Sequence, residues 1–389
     1  MRELEIAVIG AGIAGLAATR ALQRAGFRVR VYEQTAVLGE VGAGLSVSPN
    51  AAHALNALGL GPRLQAIGVE PERGAVKHWR TGEILVHIER GASMQAKYGA
   101  PYYQLHRADL HAALVESVRA HDPTAILLDH RFLGLEERQG RVRLGFAAGT
   151  SAEADIVIGA DGLRSPMRAA LFGESRPRFT GHIAWRGLVP IEALPPGLID
   201  PMSCISMGPG HTFTRYLIRQ GKLVNYVGLA DRSDWQVESW SVRSEVRELL
   251  AEFADWYPAL RTLIAATPPE ACYKWALFDR EPLPTWIKGQ ATLIGDAAHP
   301  MLPFLGQGAA MGLEDALVLA RAFAAAGSLD EALRRYEAAR LERTTFVMLK
   351  SRETARAYHD TDPASYATRP HQSAESLGLL HYDPATVAV

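Results

Sequence analysis

The chain has 389 residues, 48% of them hydrophobic, with 41 Lys and Arg against 42 Asp and Glu for a formal net charge of -1. That length builds one large domain or two interlocked ones, and the balanced charge gives no basis for a general nucleic-acid surface. No apolar run reaches membrane length, and Cys204 and Cys272 have neither CxxC spacing nor metal-ligand neighbours.

The acidic start "MRELE" runs directly into glycine-punctuated text rather than an export signal, so a cytoplasmic protein without integral membrane contact is expected. "EIAVIGAGIAGLAATRALQRAGFRVRVYEQ" predicts a strand at 6–9, a helix through Leu16, Ala17 and Leu22, and a second strand at 29–32 ending at Glu33. Gly10, Gly12 and Gly15 form GxGxxG, with Ala14 inside the motif. The first glycine permits a tight turn, the second admits a pyrophosphate to the backbone, and the third lets helix pack on strand. The helix N-terminus offers free N–H groups to the anion. Glu33 can accept from a ribose diol. The motif alone does not choose between NAD and FAD.

Gly39, Gly42 and Gly44 follow in a glycine-rich passage suited to running backbone beside a flat ring, and a helix starts near Pro49. "YYQLHRADLHAALVESV" places Arg107 and Asp109 at a helix start, where Arg107 can reach a phosphate or close over a cofactor. "AEADIVIGADGLRSPMRAALFG" predicts a buried strand at 155–159 ending at Asp161, which either orients Arg107 or a cofactor hydroxyl, or caps the next helix.

Strands are predicted at 184–190, 202–207, 213–219 and 223–229, forming a sheet over the ring, with "GPGH" as a hairpin turn. Arg186, Arg215 and Arg219 can attract a carboxylate or make sheet-surface salt bridges. The segment 249–264 predicts a helix that bends or restarts at its proline.

"QATLIGDAAHPMLPFLGQGAAMGLEDALVLARAF" predicts a strand at 291–294, a loop with Pro300 and Pro303, and a long helix opened by Gly306, Gln307 and Gly308. A hydrolase reading fails because no nucleophile elbow accompanies Asp296 and His299. A metal reading lacks third and fourth ligands. What fits is a cofactor clamp: Asp296 binds ribityl or phosphate-linked hydroxyls, and the helix N-terminus faces a ring carbonyl and stabilises negative charge there. His299 reads as structural, and Glu314 and Asp315 as helix-face charges or tie-downs. A helix at 328–358 braces the body or a dimer interface, and the tail from Asp360 orders only against the body or a partner.

Three ordered motifs, GxGxxG with Glu33, "GADGLRSPMR" and "GDAAHPMLPFLGQGAAMGLED", resemble the single-component FAD-dependent aromatic monooxygenases. The resemblance is greatest to the salicylate hydroxylase-like branch, with 3-hydroxybenzoate 6-hydroxylase and 6-hydroxynicotinate 3-monooxygenase. It implies an α/β fold: a Rossmann-like FAD-binding domain interlocked with a mixed β-sheet substrate domain and C-terminal helices. The expected parts are FAD-binding segments 1–75, 98–180 and 285–325, a substrate-domain excursion at 76–97, the substrate sheet at 181–284, and a helical segment and tail at 326–389.

The resemblance further implies bound FAD held by Gly10, Gly12, Ala14, Gly15, Glu33, Gly44, Arg107, Asp161 and Asp296. Pro303, Gly306, Gln307 and Gly308 would line the ring. NADH or NADPH would bind transiently as co-substrate. The implied reaction, in aromatic compound catabolism, is hydroxylation of a small phenolic or hydroxylated heteroaromatic acid with O2 through a flavin C4a-hydroperoxide, with or without decarboxylation. His211 would transfer the phenol proton, assisted by Tyr216. A regular strand points residues five apart to opposite faces, so both line one pocket only if the strand bulges. The remaining alternatives are a same-fold monooxygenase or reductase for a larger non-aromatic substrate, and a non-enzymatic flavoprotein. A monomer or homodimer is expected.

Overall fold

Short apolar strands feeding helices build the first half of the molecule. The computed structural model describes residues 3–39, 43–147, 149–235, 242–360 and 372–389; Gly42 of the predicted glycine-rich passage lies outside them. β1 (Glu5–Ile9), α1 (Ile13–Arg24) and β2 (Arg28–Tyr32) make the first β–α–β crossover of a parallel sheet. β3 (Gly44–Val47), α2 (Pro49–Ala57) and α3 (Gly61–Ile67) follow, then the hairpin of β4 (Arg73–His78) and β5 (Ile84–Glu89). The chain returns through α4 (Ala92–Tyr98), β6 (Tyr103–His106), α5 (Arg107–His121) and β7 (Ile126–Leu127). An antiparallel trio, β8 (Phe132–Arg138), β9 (Arg141–Phe146) and β10 (Ser151–Ala154), precedes β11 (Ile156–Gly159) and α6 (Pro166–Phe172).

The second half starts with β12 (Arg178–Pro190), β13 (Ser203–Gly208), β14 (His211–Ile218), β15 (Leu223–Asp231) and β16 (Val242–Arg243). α7 (Val246–Glu252), α8 (Pro258–Ala265) and β17 (Tyr273–Asp279) come next. β18 (Ala291–Leu293), α9 (Gly308–Ala325) and α10 (Leu329–Asp360) complete the elements.

β18-β11-β1-β2-β7 form a five-stranded parallel sheet. Its strands β1, β11 and β18 are almost entirely buried apolar runs, while β2 keeps Arg28 and Arg30 exposed. β16-β17-β12-β15-β14-β13-β4-β5 form an eight-stranded mixed sheet, so β4 and β5 leave the first half to join the second. Alternation along its strands separates two faces. On the outer face Trp185, Phe213, Leu217 and Tyr226 pack on Phe253, Trp256 and Leu263 of the α7–α8 region. On the inner face Ala184, Leu229 and Trp275 pack against Leu302, Phe304 and Ala355. The interlocked FAD-type fold expected from the motifs is the fold observed.

The start of β12 differs from expectation for a local reason, while the restart of the 249–264 helix and the ordering of the tail on the body follow it. β12 begins at Arg178 rather than 184, and a register shift between Phe179 and Ile183, with Gly181 at φ 82°, breaks the period-two pattern there. The 249–264 helix is two, since Pro258 opens α8, where its missing N–H costs nothing. Residues 372–389 fold back on the body, with Leu379 and Leu380 buried, Tyr98 Oη donating to Glu375 at 2.9 Å and Arg321 donating to the Pro384 carbonyl at 2.8 Å. No described helix is long and apolar enough to cross a membrane.

Candidate functional site

The three motifs, far apart in sequence, follow the C-terminal ends of adjacent parallel strands: β1, β2, β11 and β18. That edge is where open parallel sheets bind ligands. Gly10 sits at φ 104°, and a Cβ there would lie 2.6 Å from the Ala160 carbonyl. A Cβ on Gly15 would lie 2.0 Å from the Gly10 carbonyl, so helix and strand meet only because both positions are glycine. Gly12, the N-cap of α1, faces open space: a Cβ there meets nothing within 4 Å. Ala14 instead packs against Gly295 and Gly312, joining α1 to the third motif. Glu33 closes β2, accepting from the backbone N–H groups of Ala11 at 2.8 Å and Thr35 at 3.0 Å. A carboxylate has further acceptor capacity for a diol.

Asp161 is turned into its own loop. It accepts from the Ser165 hydroxyl and, at 2.9 Å, from Met167 N–H. Burial pushes its carboxyl up in spite of these donors. These two donors make it a cap for the turn into α6. The same loop reaches the third motif through Arg168, which donates to the carbonyls of Ala297 at 3.2 Å and Ala298 at 2.9 Å. Burial, with Arg280 adding, lowers this arginine to about 10.

Asp296 is exposed on the turn after β18, while the residues behind it are sealed. Asp315 accepts from Gly295 N–H at 2.9 Å and Arg340 Nε at 2.8 Å, and lies 2.5 Å from His299 Nε2. Burial pushes Asp315 up, but His299 and Arg340 outweigh it and hold the carboxyl at about 2. Glu314 is fully buried too, receiving Asn50 Nδ2 at 2.7 Å and Arg343 Nε at 2.8 Å. Both acids are therefore tie-downs, not helix-face charges, and His299 is part of the same buried cluster.

The Gln307 side chain points into the body rather than out of the loop. Its side chain is buried, accepting from Asn50 Nδ2 at 2.9 Å and donating to Ser48 Oγ at 3.1 Å. It fixes the start of α2 to the start of α9. Pro303 and Gly306 are exposed beside it and Gly308 is half-buried, so the N-terminus of the 18-residue α9 opens to solvent. Open space over Gly12, the exposed Asp296, acceptor capacity on Glu33 and the uncovered α9 terminus fit a flavin dinucleotide.

β3 joins this cradle to the inner face of the large sheet. Gly44 N–H donates to Asn225 Oδ1 at 2.7 Å, and a Cβ on Gly44 would lie 2.5 Å from both Asn225 and the Tyr216 ring. Tyr216 and Asn225 are register partners on β14 and β15. Burial raises the Tyr216 phenol, keeping it protonated. Arg107 is exposed at the first position of α5, its N–H donating to the Ala43 carbonyl at 2.8 Å. Arg186 shares the inner face, stacked over Tyr273 at 4.9 Å and Trp275 at 5.7 Å.

His211 is not brought to this place. β14 pairs with both neighbours without a bulge, so His211 follows Phe213 and Arg215 to the outer face, opposite Tyr216. Its Nδ1 lies 2.8 Å from the Pro209 carbonyl and its Nε2 2.8 Å from Glu252. Burial lowers its pKa, but Glu252 and the carbonyl win and the net shift is upward. The expected proton transfer from His211 therefore has no geometric route in this structure. Arg215 is also outer, donating to the Asp200 and Pro201 carbonyls, and Arg219 pairs with Asp109. Asn225, Ser48, Asn50, Arg340 and Arg343 escaped the sequence reading. In sequence they are ordinary strand, loop and helix polar residues, and only tertiary burial marks them.

A model of the FAD binding domain family matches residues 3–351. The 3-amino-4-hydroxybenzoate 2-monooxygenase PtnB3 of Streptomyces platensis is 42% identical over 358 residues, 92% of this chain and 89% of that protein. The 6-hydroxynicotinate 3-monooxygenase of Pseudomonas fluorescens is 36% identical over 92% of this chain and 93% of its own length. Klebsiella pneumoniae HpxO, in a crystal structure with FAD and uric acid, aligns with a TM-score of 0.85 at 28% identity, covering 97% of this chain and 96% of that one. With the fold, the cradle and these relatives in agreement, the chain belongs to the FAD binding domain family, as an FAD-dependent aromatic monooxygenase related to the salicylate hydroxylase, 3-hydroxybenzoate 6-hydroxylase and 6-hydroxynicotinate 3-monooxygenase branch.

Proposed function

We propose that the chain hydroxylates a small phenolic or hydroxylated heteroaromatic acid with NAD(P)H and O2. The observation that carries this reading is the junction at Gly44, where the dinucleotide cradle meets the Tyr216 side of the sheet directly. Bound FAD supplies the redox chemistry and oxygen activation. The chain supplies the rest. Gly12 and the α1 N-terminus receive the pyrophosphate, Arg107 steadies it, and Glu33 and Asp296 accept from ribose and ribityl hydroxyls. The α9 N-terminus lends positive potential to the ring's electron-rich end.

The apolar inner face, with Leu229, Trp275, Leu302 and Phe304, excludes water from the reacting ring. Tyr216 Oη, protonated at neutral pH, donates a hydrogen bond to the substrate's phenolic oxygen and favours its phenolate. His211 takes no part. The names of both curated relatives, which act on a hydroxybenzoate and a hydroxynicotinate, support this substrate class.

The test is NADH and oxygen consumption by FAD-loaded protein against a panel of hydroxylated aromatic acids, with mass analysis of products. One acid is expected to accelerate NADH oxidation and gain one oxygen, and loss of carbon dioxide would show in the same spectrum. FAD-loaded protein that no aromatic acid stimulates would overturn the reading.

A further inference from the structure

Residues 372–389 return to the body beside the buried cluster that ties down the third motif, and one ring of this segment touches both arginines of the cluster. Arg343 Cζ lies 3.9 Å from the centre of the Tyr382 ring, and Arg340 Cζ lies 5.2 Å from it. Arg343 holds the segment a second time by donating to the Leu379 carbonyl at 3.0 Å. Further along, Ala374 and Leu380 pack with Met94, Tyr98 and Tyr102.

Each arginine leads to a different wall of the cradle. Arg343 grips Glu314 through Nε at 2.8 Å and Nη2 at 2.9 Å. Glu314 in turn receives Asn50 Nδ2, which also donates to Gln307 at the start of α9. Arg340 donates through Nε to Asp315 at 2.8 Å, and Asp315 accepts from Gly295 N–H, next to Asp296, at 2.9 Å. Glu314, Asp315 and Arg340 are fully buried, and ion pairs in such a place are strong only while water stays out. A flat ring over the guanidinium faces excludes water and leaves the in-plane hydrogen bonds untouched. The Tyr382 hydroxyl contributes nothing to this, since among the described residues it is buried without a hydrogen-bond partner. The cluster uses the face of the ring.

We propose that residues 372–389 form a strap that completes the FAD cradle from behind, with Tyr382 as a positioning residue that acts through Arg340 and Arg343 on Gly295 and the start of α9. Linkage then runs both ways. Docking of the strap raises FAD affinity, and bound FAD holds the strap down by the same factor. The strap serves the cofactor, so it stands apart from the choice of substrate.

The experiment measures the FAD dissociation constant of the full chain as wild type, Tyr382→Phe and Tyr382→Leu, by quenching of flavin fluorescence. Amide hydrogen exchange of residues 379–384 is followed in the same proteins with and without FAD. Tyr382→Leu is expected to weaken FAD binding about tenfold. Tyr382→Phe keeps the ring and loses only an unpaired hydroxyl, so its constant should stay within about twofold of wild type. Exchange at 379–384 should slow about tenfold on FAD binding in wild type and by less than about threefold in Tyr382→Leu. The wild-type exchange comparison needs no variant, so a Tyr382→Leu protein that misfolds leaves the test standing. Exchange that is the same with and without FAD overturns the strap, as does a Tyr382→Leu protein that binds FAD like wild type. Equal losses in Tyr382→Phe and Tyr382→Leu would also overturn it, by assigning the effect to the hydroxyl.

Discussion

The two faces of the eight-stranded sheet both carry polar and aromatic side chains, and they differ in how those side chains are satisfied. The outer face holds a histidine, an acid and arginines: His211 between Pro209 and Glu252, Arg232 on Glu252, and Arg215 on two carbonyls. These groups satisfy one another against α7 and α8. The inner face holds Tyr216, Asn225 and an Arg186 stacked on Tyr273 among apolar side chains, and the cofactor cradle abuts it through Gly44. Catalytic side-chain types are thus poor guides to a site, whereas an incompletely satisfied polar group beside a cradle is a better one.

The comparison can be broken or sharpened by mutation. The largest effect is expected behind the cradle. Asp315→Asn leaves Arg340 with less buried countercharge and should cost about 3 kcal/mol, seen as a lower Tm and early FAD release on heating. Because the folded Asp315 carboxyl is depressed from 3.8 to about 2, its contribution is present above pH 3.8 and lost as pH falls toward 2. The gap between wild type and variant should therefore close in acid. Tyr216→Phe removes the inner-face donor and should lower kcat about 100-fold with FAD content unchanged, measured by product formation. Gly44→Ala drives a Cβ into Tyr216 and Asn225. It should cost about 1–3 kcal/mol and lower FAD occupancy in the purified protein.

The smallest effect belongs to the outer face. His211→Ala breaks a partly exposed pair worth about 1 kcal/mol and should leave kcat within about twofold. The folded His211 pKa lies above 6.5, so its stabilisation is complete below pH 6.5 and is lost as pH rises through the folded value. Glu252 is depressed from 4.5 by His211 first, and its share is lost as pH falls through its own folded value. Thermal melts of wild type and variant should converge at alkaline pH.

The cradle was legible because its requirements are local. A turn at Gly10, an uncovered helix start at Gly12 and an acid ending β2 are written within one crossover, and Asp296 likewise follows its own strand. The inner face was less legible, since parity along β14 separates His211 from Tyr216 but does not say which face meets the cofactor. That depends on β3 landing on Asn225, a contact between residues 44 and 225. The buried cluster of Asp315, Glu314, Arg340 and Asn50 joins three helices, and nothing in the text of α10 distinguishes Arg340 from the solvent-facing arginines beside it. Motif position puts Gln307 beside the ring, and its side chain points inward to Ser48 and Asn50.

The most direct test of the central claim is single-turnover product formation by wild type, Tyr216→Phe and His211→Gln, each FAD-loaded and given the acid that best stimulates NADH oxidation. Chemistry on the inner face predicts a Tyr216→Phe rate lower by about 100-fold and a His211→Gln rate within about twofold of wild type. The opposite order, with His211→Gln crippled and Tyr216→Phe nearly intact, would contradict the account.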